Sequence, residues 1–168
     1  IFGRIFKLIY FFDENTSTSG YTRFGLERDT DTIQLKWRDA SNDPSGSAGT
    51  LTTGSVLTTG VWVHILAIYD SSSNEQKIYI DGSLSISSSV SISALGTSTT
   101  NGINIGRNPN SLDYFNGVID ELAIWDTNQS ANASAIFNSG TPTTITGATA
   151  YWTLGEEAKF TDNWLVPN

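Results

Sequence analysis

The chain has 168 residues, 38% of them hydrophobic, with 5 Trp, 6 Tyr and 8 Phe, which suits one domain with a single sizeable core. Its formal net charge is -8, from 17 acidic and 9 basic residues, so the basic patch of a nucleic-acid binder is not expected. There is no Cys and a single His, which excludes disulfides, thiolate metal sites and multi-histidine metal sites within one chain.

The opening IFGRIFKLIYFF is apolar but interrupted by Arg4 and Lys7. It is too short to span a bilayer, and no small-residue cleavage pattern follows it. Membrane insertion is not expected, and residues 4–12 read as a buried or edge strand. The chain starts inside structured sequence and contains no Met, so it reads as a fragment of a longer or processed protein.

Further along, YTRFGLER (21–28) and TIQLKWRD (32–39) alternate, the latter placing Ile33, Leu35 and Trp37 on one face. VWVHILAIYD (61–70) is nearly all apolar, as a central strand covered on both sides would be. QKIYIDG (76–82) ends in Asp81-Gly82, a tight-turn pair. LSISSSVSIS (84–93) alternates apolar residues with Ser. INIG (103–106) is short, FNGVIDELAIWD (115–126) reads as another strand, and ATAYWTLG (148–155) reads as the last. SANASAIFNSG (130–140) predicts one helix, near 131–138, with Ser130 as N-cap, Gly140 as stop, and Ile136 and Phe137 to bury. Ser/Thr-rich turns separate these pieces. Short strands spaced by turns predict an all-β sandwich or barrel.

The ordered set Trp62-Val63-His64 then ILAIYD, KIYIDG, INIGR, FNGVIDELAIWD and a short helix ending in NSG resembles the laminin-G-like, or concanavalin A-like lectin/glucanase, superfamily. The nearest likeness is to its pentraxin-like branch, over roughly residues 20–155. The resemblance implies an antiparallel two-sheet jelly-roll sandwich in an extracellular or surface setting. It also implies glycan or protein binding and, often, a bound calcium. The stretch AYWTLGEEAKFTDNW (150–164) resembles junctions in bacteriophage structural proteins, where such modules are strung along a chain. The expected organisation is therefore a laminin-G-like sandwich over 1–155 and a C-terminal extension, or the start of a connection, over 156–168.

Asp120 and Glu121 raise the question of chemistry. Hydrolases that share this fold carry carboxylates two or so apart on one strand face. Retaining chemistry needs carboxyl groups about 5–5.5 Å apart, and inverting chemistry about 6.5–9.5 Å. Adjacent residues in a regular strand point to opposite faces. The position two before Asp120 is Val118, and Asp126 lies roughly 20 Å further on at about 3.3 Å per residue. Catalysis is therefore not expected, and no catalytic residue is assigned. The framework reading places Asp120 at a β-bulge, turned toward backbone N–H groups or a loop, because a buried carboxylate must be paired. Its candidate partners are Arg107, His64, a backbone loop or a cation. The alternative reading is a calcium near Asp120, fed by oxygen donors such as Asp13, Asn15, Asp70, Asn74, Asn108, Asn110 and Asp113. No cofactor is required otherwise.

His64 sits in an apolar strand without a nucleophile motif and reads as a structural histidine. Trp62 and Trp125 read as core. The loop RNPNSLD and the residue after it give the expected carbohydrate- or partner-binding rim: Asn108, Asn110, Asp113 and Tyr114. The expected function is a non-catalytic binding or structural module of a virion surface, such as a capsid decoration, tail or fibre protein. Its partners would be other virion or surface proteins, copies of itself, or glycans. The alternative is a secreted or cell-surface lectin-like adhesin.

Overall fold

The computed structural model describes residues 24–37, 49–91, 105–106, 118–141 and 145–154, and the backbone of 159–160 and 164–165. Its elements are almost all antiparallel strands, with one short helix. The expected strand at 4–12 and residues 103–104 of INIG lie outside the described residues.

The first sheet runs β1 (Phe24–Asp29), β2 (Thr32–Trp37) and β3 (Thr50–Thr52) in that order. The register pairs Phe24 with Trp37, and Leu26 with Leu35, which in turn opposes Leu51. Side chains alternate across a strand, so these residues and Ile33 share one face. Ile33 and Leu35 are completely buried, as their alternation predicts. Thr53 carries the ladder past β3: its N–H donates to the Ile33 carbonyl (2.9 Å), and its Oγ1 accepts from the Ile33 N–H (2.9 Å).

The second sheet has the order β4 (Ile65–Asp70), β5 (Glu75–Ile80), β6 (Ser83–Ser88). The central strand is thus β5. As expected for 61–70, β4 is covered on both faces, by one apolar cluster over Ile65, Ala67 and Tyr69 and another over Leu66 and Ile68, and among the described residues it pairs only with β5. It begins later than expected. The ladder ends at Ile65 opposite Ile80, because β5 stops there and enters the Asp81-Gly82 turn. That turn is the one expected: both residues have positive φ (48° and 73°), the requirement of a two-residue type I′ hairpin. The alternation of 84–93 yields a strand only to Ser88, and Ser83–Ser85 are exposed. A register shift at Ile78/Tyr79 leaves Ser85 as the extra residue of a bulge.

One face of this sheet carries Ile78, completely buried, with Ile65, Ala67, Ile80 and Ile86. They join Leu26, Ile33, Leu35, Trp37 and Leu51 of the first sheet in one apolar cluster. The other face carries Leu66, Ile68 and Tyr79, which form a second cluster with Ala133 of the helix; Trp125 and Ile136 pack against it.

The helix α1 (Ala133–Phe137) follows a 3-10 turn over Ser130–Asn132. Two details differ from expectation. Ser130 opens the 3-10 turn and its own N–H is capped by Asn128 Oδ1 at 2.9 Å. The helix ends at Asn138, in the left-handed conformation (φ 45°) with its N–H on the Ser134 carbonyl, and not at Gly140. Asn tolerates the left-handed C-cap nearly as Gly does, which ends the helix two residues early. Finally β7 (Leu122–Ile124) pairs with β8 (Ala150–Trp152), and the backbone of β9 (Lys159–Phe160) with that of β10 (Trp164–Leu165). Among the described residues, no helix is long and apolar enough to cross a membrane.

Candidate functional site

A cavity of about 1110 Å³ lies between β4 on one side and residues 119–129 on the other, with Ile136, Phe137 and Gly140 at the helix end of its lining. Among the described residues it is lined by aromatic and aliphatic side chains together with Asp70, Asp81, Asp120, Glu121 and Asp126, and by no Lys or Arg. A cavity with this lining repels anions and offers ring faces for stacking.

The acid pair sits on its wall just before β7. Among the described residues of the expected strand only Leu122–Ile124 form a ladder, so the parity argument does not reach Asp120 and Glu121. Glu121 takes the left-handed conformation (φ 53°), which costs a non-glycine residue of order 1–3 kcal/mol unless its surroundings hold it. Two hydrogen bonds do so. Asp120 Oδ1 accepts from the Glu121 N–H at 3.1 Å, and the Tyr151 hydroxyl donates to Glu121 Oε2. A left-handed residue thus stands at the strand entry, with Asp120 Oδ1 turned to a backbone N–H and Glu121 tied to β8. Arg107, one of the expected partners, lies outside the described residues.

Among the described residues the carboxylates do not gather into a calcium site: no group of three His, Asp or Glu side chains converges on one point, and both acids already hold hydrogen bonds. The expected rim residues Asn108, Asn110, Asp113 and Tyr114, and the expected oxygen donors Asp13 and Asn15, lie outside the described residues.

Trp62 was expected in the core. It lies before β4 and is 39% exposed beside the cavity, because the ladder that would have buried it stops at Ile65. Trp125 packs on the second cluster as expected. His64 has a structural setting. Its backbone N–H donates to Asp81 Oδ1 at 2.9 Å, and its carbonyl accepts from the Asp81 N–H at 3.0 Å. Its ring lies against Phe137, centroids 5.6 Å apart. Burial lowers its pKa below the ordinary 6.5, against the attraction of Asp81.

Sequence reasoning missed Asn128. Its Nδ2 donates to Asp70 Oδ2 (2.8 Å) and Glu75 Oε2 (3.0 Å), while its Oδ1 caps Ser130. One amide thus ties the helix entry to both ends of the β4–β5 turn. Asp70 Oδ1 also accepts from the Ser72 hydroxyl and the Ser72 and Ser73 N–H groups. The Ser72, Asn128 and Ser73 hydrogen bonds hold the Asp70 carboxyl well below the usual carboxylate range. The sequence signal was Asn128 itself, two residues before a helix start, but its acceptors are 58 and 53 residues away in sequence. Gln76 was also missed. It is completely buried, with Nε2 on the Asn74 and Val90 carbonyls.

No curated protein sequence matches the chain. Among solved structures, an S-layer domain-containing protein (residues 221–444) from Clostridium thermocellum ATCC 27405 is similar at 23% identity, with a TM-score of 0.39. The similarity covers 78% of this chain and 63% of that one, so the chain spans less than two thirds of its length. A family model, Laminin_G_3, described as the concanavalin A-like lectin/glucanases superfamily, matches residues 6–135. That match takes in the Trp62–Asp70 segment, the Asp81-Gly82 turn, the acid pair and the helix start, and by it the chain belongs to the concanavalin A-like lectin/glucanase superfamily.

Proposed function

We propose that the chain is a non-catalytic binding module on a two-sheet jelly-roll sandwich, displayed on a virion or other extracellular surface and contacting glycan or partner protein through its loops and the cavity beside β4. The observation that carries the reading is the commitment of the acid pair. Asp120 and Glu121 hold a left-handed turn and a strand pair together. A general acid or nucleophile must instead present its carboxyl group to substrate.

The virion setting is supported by the likeness of residues 150–164 to junctions in phage structural proteins. A specific observation favours the second reading, a lectin-like adhesin: Trp62 stands exposed beside a cavity that also presents Trp125 and Phe137. Exposed rings of this kind stack on sugar faces. The carboxylates around the same cavity select against acidic sugars, so the glycan would be neutral or basic.

A glycan array probed with and without a calcium chelator tests this. Binding to neutral or basic glycans, weakened by Trp62→Ala, is the expected result for the lectin-like reading. Loss of binding on chelation would add calcium to the site through residues beyond those described. No binding under either condition removes the glycan reading and leaves protein attachment, which cross-linking to neighbouring surface proteins would read out.

A further inference from the structure

The corner where β4 begins, the β5–β6 turn and the end of α1 meet is built around the only histidine in the chain. His64 is pinned to the turn through its backbone, by the two hydrogen bonds to Asp81. Its ring leans on Phe137 at 5.6 Å and 42°. Phe137 in turn covers the turn: a Cβ at Gly82 would come within 3.1 Å of Phe137 Cβ and Cδ1 and of Ser134 Cα. The last residue of the helix, the turn and the strand entry therefore form one contact. A change at any of the three is felt by the others.

The Nδ1 of His64 is buried and has no hydrogen-bond partner among the described residues. A neutral imidazole tolerates this by carrying its proton on Nε2 and leaving a lone pair on Nδ1. The charged ring must instead place an N–H at Nδ1 with no acceptor to receive it, and a buried unsatisfied donor is costly.

We propose that neutral His64 is a latch that holds the C-terminal end of α1 on the β5–β6 turn, and that protonation of its ring in mildly acidic medium releases that end. Among the described residues the charged groups around it are one-sided. The turn supplies Asp81, whose Oδ1 is already taken by the His64 N–H. The helix Ala133–Phe137 supplies none. Asp120, Glu121 and Asp126 share the cavity lining across from β4, and Asp70 lies at the far end of β4 itself. Burial opposes the charged ring and is the larger influence, while Asp81 favours it. A depressed folded value means that the unfolded state takes up the proton first. The stabilisation is complete above the ordinary value of 6.5 and is lost as pH falls below it. The latch does not depend on what the cavity binds.

The test follows amide exchange over residues 133–140 in the wild type and in His64→Gln, from pH 7.5 to 5. Comparing the same amides at the same pH cancels their intrinsic exchange rates. Wild-type protection should fall relative to the variant by up to about tenfold per pH unit below 6.5, the limit for one linked proton. His64→Phe, which keeps the ring contact and removes the titration, should also lack the acid dependence. A wild-type to variant ratio that stays constant with pH overturns the latch. If neither variant folds, NMR titration of the single histidine in the wild type decides. A midpoint below 6.5, with loss of α1 signals over the same pH range, supports the proposal. A midpoint at or above 6.5 overturns it.

Discussion

The two faces of the β4–β5–β6 sheet are held by different physics. The face toward β1–β3 is mainly apolar, with the buried Gln76 as its polar member: Ile65, Ala67, Ile78, Ile80 and Ile86 meet Leu26, Leu35 and Leu51. The face toward α1 is divided. At one end Leu66, Ile68 and Tyr79 are covered by the helix residue Ala133. At the other, Asp70, Glu75, Lys77 and Asn128 form a hydrogen-bonded network at the surface. The first face is stabilised by area removed from water. The second depends on single contacts that position one short helix, a helix too short to be stable by itself. Damage to the first face should therefore lower the stability of the whole domain, and damage to the second should loosen the helix while the strands persist.

Ile78→Ala breaks the comparison on its strong side. Ile78 is completely buried, so truncation should cost about 2–5 kcal/mol, seen as one cooperative loss in chemical denaturation. Gly82→Ala tests the helix side. The new methyl meets Phe137 and Ser134 at 3.1 Å in a backbone with φ 73°, and the expected cost is about 1–3 kcal/mol. Its signature is faster exchange in α1 with the β1–β3 amides unchanged; equal losses in both would erase the distinction between the faces.

Asn128→Ala should have the smallest effect, because its network is exposed. The Ser130 amide should lose protection, and the Asp70 carboxyl should titrate closer to its ordinary value of 3.8. The sign follows from the depressed folded value: Asp70 contributes stability above 3.8 that is lost as pH falls below it, and the variant should show less of that acid loss. An unchanged Asp70 titration, followed by NMR, would remove Asn128 from its role as the staple.

The difference between the faces also explains what could be read in the sequence. The face toward β1–β3 follows from alternation: Ile33, Leu35 and Trp37 are two apart and all buried. The hairpin at Asp81-Gly82 is equally local, since both residues accept positive φ. The face toward α1 depends on partners far apart in sequence, and no local pattern announces that Asn128 reaches Asp70 and Glu75. Glu121 is a harder case. A glutamate seldom adopts the left-handed conformation, so a strand reading ran through it, and one of the two bonds that hold it there comes from Tyr151, 30 residues away on β8. Trp62 was misread for a related reason. Its apolar neighbours suggested burial, but the extent of β4 is set by where β5 ends.

The most direct test of the account is a comparison of Glu121→Ala with the wild type in thermal unfolding and in reducing-sugar release from soluble β-glucans. A framework role predicts that the variant loses about 1–3 kcal/mol of stability, because the bond from the Tyr151 hydroxyl to Glu121 Oε2 is removed. It also predicts that neither protein releases sugar. Sugar release by the wild type that disappears in a variant of unchanged stability would contradict the account and make Glu121 a catalytic residue.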